Sequence, residues 1–141
     1  MTTTLGSILD RAGIGTLGVL DIQIDVPILT GAQRQGDVIV LPRPNRATAT
    51  TPIPAAGVRV VRAEASANTH SIMSWDGPGC FFDVDQTGGN ADLTLGTLTV
   101  PPGGSAYLLH TEEHGANGIG PGTYELRRQR EFAGEWRQVA D

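Results

Sequence analysis

From residue 19 to residue 26 the chain alternates. Leu20, Ile22, Ile24 and Val26 fall on one side of an extended backbone, with Asp21, Gln23 and Asp25 on the other. A period of two predicts a half-buried strand, and Pro27 either ends it or marks it as a sheet edge. Ahead of it, residues 1–16 hold a short apolar cluster in which Ser7 is placed to cap one helical turn, with Gly13 and Gly15 stopping the helix. Downstream, Gly36-Asp37 turns the chain into an apolar strand over 38–41, closed by Pro42 and Pro44. Pro52 and Pro54 remove donors from 46–57, which predicts a surface excursion.

Further strands are expected over 58–65, and on either side of Asp76-Gly77-Pro78-Gly79. Residues 91–100 alternate again, with Leu93, Leu95, Thr97 and Thr99 on one side, and Pro101-Pro102-Gly103-Gly104 ends the run. The last pair, 105–110 and 123–132, is expected to flank a glycine-rich turn, with Trp136 packing back on the body. The pattern predicts an all-β, single-domain fold: a small β-barrel or sandwich of about seven to nine short antiparallel strands. Residues 1–34 read as an N-terminal extension that includes the amphipathic strand, and 35–141 as the body.

Composition narrows the function classes. A chain of 141 residues with 39% apolar content can bury one core without staples, and 19 glycines and 9 prolines fit a turn-rich fold. Aromatics are only 5%, so the core must rest on aliphatic side chains. A net charge of −5 argues against a nucleic-acid footprint, and all ten cations are arginine. Cys80 is the single cysteine, which excludes an internal disulfide framework. There is no basic-then-apolar leader and no long apolar run. The expected location is therefore cytoplasmic or within an assembled particle or virion, with no signal peptide and no membrane partner.

Candidate chemistry gathers in residues 107–131, YLLHTEEHGANGIGPGTYELRRQRE. If the chain stays extended, His110, Glu112 and His114 share a face, a two-histidine, one-carboxylate set suited to a divalent transition metal. His70 is the remaining histidine and a facing strand would add it as a further ligand. Such ligands at the mouth of a small barrel resemble the cupin arrangement, although no H-x-H pair occurs. Against this, Gly, Asn and Pro after His110 favour a chain that leaves the strand, making these histidines solvated loop residues with no cofactor. Cys80, between Gly79 and Phe81, has an apolar setting that raises a thiol pKa, and no local signature pairs it with His70 or His114. Alternation separates Arg128 and Arg130, on the side of Leu126, from Arg127 and Gln129. Salt bridges on a solvated sheet face account for that pattern, and an interface role is the alternative.

The stretches LLHTEEHGANGIGPGTYELRRQREF, QGDVIVLP and RQVAD resemble a set of small uncharacterised bacterial and phage β-rich proteins. In that set a Q-G-D-V strand opens the domain, and an H-E-E-H turn leads into a P-G-x-Y-x-x-x-R-Q-R-E strand. The likeness spans residues 35–141 and is most specific in its last third. Here the turn is His-Thr-Glu-Glu-His, one residue longer, and Asn68-Thr69-His70 stands where a denser histidine cluster is expected. The resemblance implies a fold and carries no activity.

The function expected from these features is a non-enzymatic structural or accessory module. It would act by homo-oligomerisation or by attachment to a larger bacterial or phage particle, with Ile22, Ile24, Arg128 and Arg130 as interface candidates. The alternative is a cupin-like metal-binding protein or enzyme using His70, His110, Glu112 and His114.

Overall fold

The structure is a computed structural model that describes residues 3–15, 24–60, 70–85, 94–110 and 115–128, with the backbone of 130–132 and 136–138. In chain order the elements are β1 (Thr3–Thr4), α1 (Leu5–Arg11), β2 (Asp25–Val26), β3 (Ile28–Leu29), β4 (Gln33–Gln35) and β5 (Val38–Pro42). They continue with β6 (Val58–Arg59), β7 (His70–Ser74), β8 (Phe81–Val84), β9 (Thr94–Val100) and β10 (Ala106–His110). The last are β11 (Gly115–Ile119), β12 (Gly122–Arg128), β13 (Arg130–Phe132) and β14 (Trp136–Gln138).

Two five-stranded sheets carry the fold: β3-β11-β10-β7-β6 and β4-β5-β12-β9-β8. Among the described residues neither sheet closes on itself, so the architecture is a sandwich and the barrel alternative falls away. The two sheets supply ten strands against the expected seven to nine: β6 falls within the strand expected over 58–65, whereas the short β3 and β4 and the glycine-rich β11 leave little mark on the pattern. The antiparallel expectation also fails at one place, since β3 runs parallel to β11.

Side chains alternate as the period of two demands. Val38, Val40, Leu98, Val100, Tyr124 and Leu126 from one sheet meet Ile72, Ala106, Leu108 and Ile119 from the other in the main core. On 94–100 the buried set is Gly96, Leu98 and Val100, with Thr97 and Thr99 on the opposite side as expected; Leu95 departs from that side and packs against the main core, because the register with β12 shifts there and sets Thr94 opposite Arg127. β10 is buried on both faces. Its outer residues Tyr107 and Leu109, with Met73, form a second core beneath Ile8 and Val26. The N-terminal residues thus cover a face of the first sheet. Full burial of Ile8 and Leu9 supplies roughly 1.5–3 kcal/mol each.

Three local expectations are corrected. The helix cap is Thr4 and not Ser7: Thr4 Oγ1 accepts from the Ser7 amide at 3.2 Å, and Ser7 lies within a seven-residue helix. The excursion over 46–57 lies mostly at the surface, yet it pairs despite its prolines: the Ile53 amide donates to the Cys80 carbonyl, the Phe82 amide donates to the Thr51 carbonyl, and Ala49 and Ile53 are buried as the segment straps the second sheet. Its amides at Ala49, Thr50 and Thr51 donate to Thr99 Oγ1 and to the Asp83 carboxylate.

The third correction concerns the last hairpin. β10 does not pair with β12; it pairs with β11, and Gly120-Pro121 then carries the chain to the other sheet. Residues 115–119 read as a turn because of their glycines, yet Gly118, with Gly120 just beyond, makes room for β3 and the residues beside it. A Cβ on Gly118 would collide with the Pro27 carbonyl oxygen, and one on Gly120 would lie 2.9 Å from Thr30 Cγ2.

Of the amphipathic strand expected over 19–26, residues 19–23 lie outside the described residues, and Asp25–Val26 forms β2. The side chain of Trp136 is also outside them.

Candidate functional site

Two of the four predicted metal ligands come together. His70 and His110 are directly opposed partners on β7 and β10. Both are buried on the face that carries Ile72 and Leu108, and their ring centroids lie 4.5 Å apart in an edge-on arrangement. Glu112 and His114 lie outside the described residues. Among the described residues no third His, Cys, Asp or Glu joins the pair. The next position across the sheet, opposite His110, is Gly115. The Gln35 amide enters beside it from the other sheet, its Nε2 lying 3.8 Å from where a Gly115 Cβ would stand.

Gln35 belongs to a seam of amides joining β4 to the first sheet. Its Nε2 donates to the Leu108 carbonyl at 2.8 Å and to Asn117 Oδ1 at 2.9 Å. Gln33 Nε2 donates to the Gly118 carbonyl at 2.8 Å, and Asn117 Nδ2 donates to Gln33 Oε1 at 3.3 Å. Such bonds answer backbone and side-chain groups that the two-sheet fold would otherwise bury unpaired.

Cys80 lies at the far end of the sandwich from the histidines. Its amide donates to Ser74 Oγ at 2.9 Å, and the length of β7, about 13 Å at the usual rise per residue, separates Ser74 from His70. The Cys80–His70 nucleophile pair is therefore not assembled. Burial pushes the Cys80 thiol up, against a weaker opposing bond from Ser74, which leaves it a small core residue.

The outer face of the second sheet holds a group that alternation alone did not single out. Glu125 is buried, although it lies on the solvent side between Tyr124 and Leu126. Its carboxylate accepts from Arg43 Nε at 3.2 Å, Arg127 Nη1 at 2.9 Å and Thr94 Oγ1 at 2.6 Å. Arg46 is held beside it by a 2.7 Å bond to Thr97 Oγ1, and Thr97 is the cross-strand partner of Glu125. Burial would raise this carboxyl; the bonds from Thr94 and Arg127, with the charges of Arg127 and Arg46, outweigh it and hold the carboxyl below its ordinary value.

Arg34 is exposed on the same face, and both it and Arg127 are register partners of Ile39. The strap covers the β8 and β9 side of this face. The β4, β5 and β12 side keeps Arg34, Ile39, Leu41, Arg43 and Arg127 at least partly open to solvent. Of the predicted interface arginines, Arg128 makes a 3.3 Å salt bridge to Asp37, and the Arg130 side chain lies outside the described residues.

Ile22 lies outside the described residues, whereas Ile24 is half exposed. The large apolar side chains that stand exposed among the described residues are Ile24 (50%), Ile28 (38%) and Leu29 (48%), all within six consecutive positions. Ile28 and Leu29 form the edge strand of the first sheet, and sequence alternation missed both because Pro27 interrupts the period. Among the described residues no helix is long and apolar enough to cross a membrane.

A family model described as Domain of unknown function (DUF8820) matches residues 34–129. No curated protein and no solved structure matches the chain.

Proposed function

Since the chain belongs to the DUF8820 family, whose shared part starts at residue 34 and so leaves α1 and β1–β3 outside it, we propose that these N-terminal elements make the protein a self-assembling structural module. The observation that carries this reading is the exposure of Ile24, Ile28 and Leu29 on and next to β3, which among the described residues is the outermost strand of its sheet. An exposed edge flanked by large aliphatic side chains is a surface for association. A larger bacterial or phage particle built from repeated copies is the natural setting for such a module. Light scattering coupled to size exclusion tests the reading. Wild type is expected to elute as an oligomer and the Ile24→Glu/Leu29→Glu variant as a folded monomer. A wild type that stays monomeric at high concentration would overturn it.

One observation favours a second reading. His70 and His110, opposed across β7 and β10, present two imidazoles of the kind a divalent transition metal takes. Under this reading the protein binds such a metal through that pair, with Glu112 and His114 as the further ligands foreseen from sequence. Elemental analysis of purified protein, with thermal shifts on adding Zn, Mn, Ni or Fe(II), is the test. Stoichiometric metal lost on His110→Ala supports the reading; no metal and no shift removes it.

A further inference from the structure

Between β6 and β8 the sandwich opens into a cleft of about 390 Å³, within the range of small-molecule sites. The strap forms one wall with Ile53, Pro52 and Pro54, β6 contributes Val58, and β8 contributes Phe82 and Val84.

The rim of the cleft follows from how the strap meets β8. The two run antiparallel with Pro52 opposite Phe81; the Ile53 amide donates to the Cys80 carbonyl and the Phe82 amide to the Thr51 carbonyl. The next rung of such a ladder is the Thr51 amide on the Phe82 carbonyl. That amide turns instead to Asp83 Oδ1 at 2.9 Å, and the Thr50 amide reaches the same oxygen at 3.1 Å. The pairing is left as a single bridge. Thr50, Thr51 and Asp83 all line the cleft, so the carboxylate gripped by the two amides stands at its rim.

The donors that hold this carboxylate are neutral. The Thr51 side chain first, then the amides of Thr51 and Thr50, keep it below its ordinary pKa against a weaker effect of burial. Among the described residues Asp83 makes no salt bridge, and no arginine lines the cleft. Arg46 is bonded to Thr97, the cross-strand partner of Asp83, and its charge acts on Glu125. Apolar walls thus meet one fixed negative charge.

We propose that the cleft binds a small organic cation: a primary amine on a short aromatic or aliphatic body. The ammonium donates to the Asp83 carboxylate at the rim, and the body lies against Ile53, Val58 and Phe82, whose ring offers an aromatic partner. A neutral molecule of the same shape leaves the charge unanswered, and an anion is repelled by it. The site uses no residue of the assembly or metal readings and goes beyond both.

The test titrates full-length protein with 2-phenylethylamine and, separately, with 2-phenylethanol, its neutral counterpart, following amide shifts by NMR. The amine should saturate and shift the amides of Thr51, Val58, Phe82 and Asp83. The alcohol should bind roughly tenfold more weakly, because a charge-assisted hydrogen bond is the stronger one. Asp83→Asn keeps an oxygen for the two amides and should take both compounds with the alcohol's affinity. Val58→Phe fills the cleft from β6 and, if circular dichroism shows it folded, should bind neither. Equal affinity of wild type for amine and alcohol overturns the proposal. So does an Asp83→Asn variant that keeps the wild-type preference, or cleft amides that do not shift at any concentration. Should Asp83→Asn fail to fold, the amine–alcohol comparison on wild type decides.

Discussion

Removing the Glu125 carboxylate leaves Arg43 and Arg127 facing one another across the acceptor they share. Glu125→Gln should lower unfolding free energy by about 2 kcal/mol, measured by denaturant titration at neutral pH. The carboxyl also carries a pH signature. Glu125 is held below its ordinary value, as is Asp83, whose carboxylate accepts first from the Thr51 side chain and then from the amides of Thr51 and Thr50. A depressed carboxyl adds stability that is complete above its unfolded pKa and is lost as pH falls through its folded one. Stability should therefore decline as the medium is acidified below about pH 4, and Glu125→Gln should flatten that decline. A variant with the same acid slope as wild type would assign the effect to other groups.

Among elements, the period of two made β9 and its inner set Leu98 and Val100 legible from sequence, because the strand meets the core on one face and water or the strap on the other. β11 was illegible. Its residues Gly115, Ala116, Asn117 and Gly118 carry turn chemistry, and what makes them a strand is pairing with β10 and the approach of Pro27 from far along the chain. The histidine pair was legible only as residue types. That His70 lies opposite His110 is a matter of register, which no local pattern reports. Glu125 was hidden for a related reason, since Arg43 lies 82 residues from it. The close approach at Gly118 yields a test: Gly118→Val must push β3 off β11. Limited proteolysis should then cleave within residues 24–32 much faster than in wild type, while the core of the sandwich stays protected. Equal cleavage rates would show that β3 tolerates the added methyls.

The whole molecule depends on two apolar layers of unequal kind, one between the sheets and one beneath α1. Leu108 is fully buried in the first, so Leu108→Ala should cost about 2–5 kcal/mol and lower the melting temperature sharply. Leu9→Ala removes comparable apolar surface from the N-terminal cap, and a smaller loss there would show that the cap is the weaker unit.

The two flanks of the sandwich are also closed differently. Along β4 and β11 the side-chain amides of Gln33, Gln35 and Asn117 stitch one sheet to the other. Along β6 and β8 the sheets part around a cleft of about 390 Å³, floored by Ile53, Val58 and Phe82. The molecule is bound like a book along a spine, with its fore-edge held by the strap. Its pages should separate from the β8 side, so amide protons of β8 should exchange with deuterium well before those of β5 and β11.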